Sequence, residues 1–263
     1  MKLWIRRTAL GLALALTIMV LAVPGLADDD KHDKGHDKAP HWTYEGETGP
    51  EHWGDLSEDW KLAKTGKRQS PIDLSDRKLS EVASLETSYS ASPLHIVNNG
   101  HTVKVAYGDG SSMTLGGEEF KLLQFHFHSP SEHTVEGRHY PLEVHLVHQS
   151  ESGQLGVIGV FFEAGEENAA LAGISPHAPK EAGDVQAIEG VSVNAAQLLP
   201  GDATRWTYSG SLTTPPCSEN VRWTVMRTPL QASEAQLEAF ATLYSRNARP
   251  VQPRNDRDLH LGR

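Results

Sequence analysis

Cysteine is almost absent from this sequence: Cys217 is the only one in 263 residues, so no disulfide can form within one chain. Positive charge is also short, with 24 Lys and Arg against 34 Asp and Glu, a formal net charge of −10. That balance excludes nucleic acid as a natural partner. No apolar run is long enough for a membrane span. The uncharged stretch near the start, Thr8–Val23, ends at Pro24 and falls short of the roughly 18–20 apolar residues a bilayer requires. Helix signals are few.

Three positive charges, Lys2, Arg6 and Arg7, precede that stretch, and Pro24 and Gly25-Leu26-Ala27 close it. The pattern predicts a signal peptide over residues 1–27, cleaved on export. The mature chain then carries 21 basic and 34 acidic residues, a net charge of −13. It is expected in the periplasm or secreted, without a membrane anchor. Residues 28–41, DDDKHDKGHDKAPH, have nothing apolar to bury and are expected to form a disordered leader. From residue 42 to 263 one strand-rich domain is expected. Asn98-Asn99-Gly100 marks a hairpin turn between Leu94–Val97 and His101–Tyr107. Lys121–His128, Tyr140–His148, Leu155–Phe162 and Val221–Val225 read as further strands. Ser233 and Gln236 form a capping box for a helix over Ser233–Tyr244.

Fourteen histidines are what the sequence has in excess, and two strand runs organise three of them. In Gln124-Phe125-His126-Phe127-His128, alternation puts Gln124, His126 and His128 on one face and the phenylalanines on the other. In Glu143-Val144-His145-Leu146-Val147 the same rule aligns Glu143, His145 and Val147. If the two strands are antiparallel neighbours, three imidazoles can converge on one ion. Three neutral nitrogen donors with one open position suit catalytic zinc better than structural zinc. Gln124 and Glu143 are candidates to fix those imidazoles, reaching ligands on adjacent strands. HxH alone favours plain surface histidines, but the second strand reverses that preference. The run His126-x-His128-xxx-Glu132 also fits the opening of a cupin metal site. A cupin wants glycine where His139 stands, and a later His-xxx-Asn where His145 is followed by Gln149.

Several segments in order resemble the α-class carbonic anhydrases, in the form found among exported bacterial members. They are Gly49-Pro50-Glu51-His52-Trp53, Gln69-Ser70-Pro71-Ile72, Asn98-Asn99-Gly100-His101 and Ser131-Glu132-His133-Thr134-Val135 with Glu143–Val147. Ser211-Leu212-Thr213-Thr214-Pro215-Pro216 and Asn247-Ala248-Arg249-Pro250-Val251-Gln252 complete the set. The resemblance implies a mainly β single domain, with a central, mostly antiparallel twisted sheet and a few short peripheral helices. It implies a zinc lyase (carbonate dehydratase) that interconverts CO2 and bicarbonate by zinc-hydroxide attack, with weak esterase activity beside it. His126, His128 and His145 would hold Zn2+, with Gln124 and Glu143 behind His126 and His145. Thr213 would accept a hydrogen bond from the hydroxide and donate one to Glu132. Val147, Val157, Leu212, Thr214, Val221 and Trp223 would form the substrate pocket. His101 would shuttle protons along a water chain ordered by Tyr44 and Asn99, and Lys104 near it would lower its pKa. Many exported relatives join a cysteine at the Cys217 place to one where Ala63 stands here, so that bridge is absent and Cys217 is expected as a packed thiol. The resemblance is compatible with a homodimer. Other classes remain: a cupin-like metal oxygenase, a silent binding module (such relatives usually lack a zinc histidine, and all three are present here), and a zinc store built on His32, His36 and His41.

Overall fold

A computed structural model describes residues 40–75, 79–244 and 246–263. The expected signal peptide and all of the leader except Pro40 and His41 lie outside the described residues. The described chain from Pro40 onward forms one compact unit. Among the described residues no helix is long and apolar enough to cross a membrane.

Nine strands carry the architecture: β1 (Ser92–Asn98), β2 (Val103–Ala106), β3 (Glu118–His128), β4 (Leu142–Ser150), β5 (Leu155–Ala164), β6 (Gln186–Val193), β7 (Arg205–Ser211), β8 (Glu219–Met226) and β9 (His260–Gly262). They pair in the order β6-β1-β2-β3-β4-β5-β8-β7-β9, and three short strands bring the sheet to twelve. Every neighbour on this path is antiparallel except β5 and β8. The sheet is therefore mixed but mostly antiparallel, twisted, with few short helices, as the family resemblance implied. The expected helix is α1 (Glu234–Ala241), shorter than the sequence suggested; Ser233 and Gln236 form the capping box.

Period-two alternation divides the sheet's two faces between two apolar clusters. Leu142, Val144 and Leu146 of β4 and Ile158, Val160 and Phe162 of β5 enter one cluster with Phe125, Phe127 and the helix residue Phe240. Val147, Val157, Phe161, Val221 and Trp223 enter the other. One irregularity matters for the site. Leu122 pairs with His148 and Gln124 with Val147, so Leu123 is an extra residue in β3. The bulge reverses the parity. Phe120 and Leu122 before it therefore share a core with Phe125 and Phe127 after it. Leu123 itself is exposed.

His148 lies on the first, apolar face of β4, fully buried, its Nε2 2.7 Å from the Tyr89 hydroxyl. Burial pushes its pKa down to about 4. A histidine that stays neutral in the fold but takes a proton when unfolded makes stability fall as pH drops from about 6.5 to about 4, by about 3 kcal/mol in all. Thermal melts of wild type and His148→Gln across that range check this; the variant is expected to show a shallower acid-dependent decline, by the share that His148 contributes.

Candidate metal centre

β3 and β4 place His126 directly opposite His145 in the antiparallel register, with His128 two residues on. The three rings stand 4.5 to 5.4 Å apart. One nitrogen from each lies within 4.8 Å of the others, so they can share one ion. The remaining nitrogen of each ring is already engaged. His126 Nδ1 lies 2.9 Å from Gln124 Oε1, His128 Nδ1 2.7 Å from the Asn247 carbonyl, and His145 Nε2 2.9 Å from Glu143 Oε1. Each acceptor takes the ring N–H on its side. The lone pairs left over, on Nε2 of His126 and His128 and Nδ1 of His145, are the ones a metal needs. His128 Nε2 is buried without a hydrogen-bond partner among the described residues. Such an orphaned atom in so polar a setting fits a cation site.

Gln124 and Glu143 each bond the imidazole two residues along their own strand, not one on a neighbouring strand. Residues i and i+2 share a face at a spacing that a Gln or Glu side chain spans.

Electrostatics sort the donors. Burial holds His126 well below its ordinary range, and the other two imidazoles and Lys104 add to that. Burial also lowers His128, against the pull of Glu132. Both stay neutral, as metal donors must. Burial works against His145 as well, but Glu143 outweighs it and raises the group. Glu143 is fully buried, and burial alone would raise its carboxyl. His133 and His145 reverse this and hold it well below the usual range. Its Oε2 accepts the backbone N–H groups of Glu132 and His133, while Oε1 meets His133 Nδ1 and His145 Nε2. Gly159 pairs with His145 on the neighbouring strand, where a Cβ would come within 2.9 Å of Glu143 Oε1. His133, Glu143 and His145 also cluster tightly enough for a cation. Their nitrogens are joined through Glu143 by hydrogen bonds, so that cluster is a brace behind His145.

Glu132 accepts the Arg249 backbone N–H at Oε1. Its Oε2 lies 3.5 Å from His128 Nε2 and 3.8 Å from His145 Nδ1, with no hydrogen-bond partner among the described residues. Thr213 is buried in the loop after β7 and makes no bond to that oxygen. The carbonyl of Thr214 accepts the Cys217 N–H, closing the same loop. Val147, Val157, Val221 and Trp223 are buried in one cluster, with Leu212 packed against it. The Trp223 ring lies 4.8 Å from His145, so this apolar wall meets the metal centre. Cys217 is a free, buried thiol, pushed up to about 11 by burial.

His101 stands at the turn before β2, its ring stacked on Trp42 at 3.7 Å and 7°. Asn99 Oδ1 accepts the backbone N–H groups of His101 and Thr102 and so shapes that turn. Tyr44 packs edge-on against Trp42 and Trp53, its phenol raised by burial and then by Glu132. Lys104 pairs in register with His126 and depresses that ring. His101 is lowered instead by its own burial and by His41.

Several residues of the site had no role in the sequence reading. Asn247 takes the His128 N–H on its carbonyl and donates from Nδ2 to the His101 and Phe127 carbonyls, tying a metal-site ring to the turn of His101. His133 Nε2 lies 2.7 Å from the Tyr208 hydroxyl, which lies 2.9 Å from Ser70 Oγ. Arg249 spends its guanidinium on Gln69, Ser70 and the Ala63 carbonyl. Gln69, Ser70, His133, Asn247 and Arg249 stand inside the quoted motif segments, but their partners lie far along the chain.

The family profile of eukaryotic-type carbonic anhydrases matches residues 48–262. A carbonic anhydrase of Nostoc sp. is 49% identical over 225 residues, 84% of this chain and 85% of that one. One from Klebsiella pneumoniae is 41% identical over 255 residues, covering 95% and 98%. The α-carbonic anhydrase of Thermovibrio ammonificans, solved with the inhibitor sulfanilamide, superposes with a TM-score of 0.81 at 45% identity, covering 84% of this chain and 98% of that one.

Proposed function

This chain belongs to the eukaryotic-type (α) carbonic anhydrase family, the carbonate dehydratases, and from that we propose that it is a zinc enzyme hydrating CO2 reversibly to bicarbonate and a proton. The observation that carries the zinc reading is the convergence of His126, His128 and His145, each locked from behind by an acceptor. When bound, zinc supplies what it supplies in the carbonic anhydrases that are its type case, a Lewis acid that makes a coordinated water acidic near neutral pH.

The chain's own residues do the rest. Val147, Val157, Leu212, Val221 and Trp223 give uncharged CO2 an apolar surface beside the histidines. Thr214 borders the same pocket. Glu132, pinned at Oε1 by Arg249, keeps Oε2 free to accept the Thr213 hydroxyl proton. That bond would fix the direction of the other threonine lone pairs toward the reacting water. His101 takes the released proton at a ring nitrogen and passes it to buffer, with Tyr44 and Asn99 lining the path. Burial, and then His41, lower the His101 pKa, which favours the neutral ring that can accept a proton. Weak hydrolysis of activated esters belongs to the same centre. The protein works as an exported enzyme, released from residues 1–27 and not anchored in a membrane.

Stopped-flow CO2 hydration tests this reading. Chelation is expected to abolish the activity and zinc to restore it. His101→Ala is expected to slow turnover by about ten-fold or more in dilute buffer and to recover in concentrated buffer. A folded, zinc-loaded protein without hydration activity would refute it.

A further inference from the structure

We propose that the chain carries a second ligand site, for a small oxyanion such as a carboxylate or inorganic phosphate, in a cavity on the face of the sheet that points away from the metal centre.

The strand register fixes that face. His145 pairs with Gly159 and Gly159 with Val225, so Val225 shares the face of the metal centre. Thr224 beside it, and Arg222 two residues before Thr224, therefore point to the other face. Thr207 stands directly across from Thr224 and Ser209 from Arg222, and His260 of β9 pairs with Thr207. These five polar side chains form one patch at the border of the first apolar cluster, and all line a cavity of about 410 Å³. Leu115 of that cluster closes the cavity on the core side.

Donors in this cavity lack acceptors. Thr224 is fully buried, and its hydroxyl has no hydrogen-bond partner among the described residues. Buried polar atoms are rarely left so, and an acceptor entering beside Arg222 is the match that this one lacks. Arg222 meets Glu118 through one terminal nitrogen only, at 3.2 Å. The hydroxyls of Thr207 and Ser209 bond no other described residue.

Charge points the same way. At the edge of β7, past its last pairing with β9, Arg257 and Arg68 border the cavity. Arg257 is buried and spends its guanidinium on three neutral carbonyls, those of Ser209, Pro253 and Arg254. Burial disfavours its charge and Arg68 adds to that, against Tyr208, Glu219 and Asp256. Arg68 forms no ion pair among the described residues. Asp256 and Asp258 also line the cavity, so three guanidinium groups stand with two carboxylates in a chain that is acidic as a whole. Planar forks with spare N–H groups, set beside hydroxyl donors, suit the oxygens of a carboxylate or phosphate. The volume lies at the small end of ordinary ligand pockets, which sets the size of the guest.

The test titrates inorganic phosphate, and separately acetate, into full-length zinc-loaded protein at constant ionic strength, followed by NMR of backbone amides and arginine side chains. Saturable shifts are expected at Thr207, Arg222 and Thr224 with at least one of the two anions. Arg68→Gln and Arg222→Gln are each expected to weaken binding roughly ten-fold. Thr224→Val is expected to weaken it by a few-fold without lowering the melting temperature, because the hydroxyl it removes has no protein partner. CO2 hydration is expected to stay unchanged in all three variants, since they stand on the other face. His128→Ala is expected to bind the anion as wild type does, which separates this site from an anion at the metal. Shifts confined to the metal centre, or shifts that do not saturate with either anion, would overturn the proposal. So would wild-type affinity in both arginine variants, or loss of binding in His128→Ala.

Discussion

Replacing His128 with alanine is expected to remove zinc binding and CO2 hydration together while leaving the sheet folded. His128 Nε2 is a buried nitrogen without a hydrogen-bond partner among the described residues, so its loss strands no other group there. Behind it only one acceptor is left short, the Asn247 carbonyl, which also keeps a place in a well-bonded loop. The affinity loss should exceed the roughly 10–100-fold typical of an outer partner of a ligand, because a direct donor is gone. Zinc competition titration and circular dichroism read the two consequences separately. Wild-type affinity in a folded His128→Ala variant would sink the ligand assignment.

Glu143→Ala is expected to show the largest stability change of any single replacement behind the site. One fully buried carboxylate satisfies two backbone N–H groups and two imidazoles, and alanine leaves all four without their acceptor. Removing one partner of a buried ionic network typically costs about 3–5 kcal/mol. His145 would also lose the bond that fixes its tautomer, weakening zinc by about 10–100-fold. Glu143→Gln separates the two effects. It keeps the shape but offers an NH2 where at least one N–H needs an acceptor, so stability should fall less while zinc affinity still drops. Urea unfolding and zinc competition measure the pair; a wild-type unfolding midpoint for Glu143→Ala would refute the account.

Much of the site was legible because strand alternation is a local rule. Gln124, His126 and His128 share a face whatever the rest of the chain does, and so do Glu143, His145 and Val147. That the two strands are neighbours with His126 facing His145 was only a condition, and the register supplies it. The capping box of α1 was equally local, since it links residues three apart. What escaped were partners distant in sequence. Nothing around Asn247 shows that its carbonyl meets a ring 119 residues earlier, or that Arg249 pins Glu132 across 117. Lys104 was expected to lower the His101 pKa if it lay near that ring, but its partner on β3 is His126.

The sequence by itself determined which side chains could hold a cation and that the chain is a strand-rich, acidic domain with one thiol. Both follow from composition and from a two-residue period that needs no knowledge of neighbours. Only the tertiary structure decided which core each strand face meets. Read straight through, Phe120 and Leu122 share parity with Gln124, His126 and His128, which would set an apolar half-strand on the polar side. The extra residue at Leu123 reverses the parity, so one strand serves the apolar core along its length and the metal centre at its end. A bulge is a matter of pairing between two strands, and pairing is fixed by which faces can be buried together.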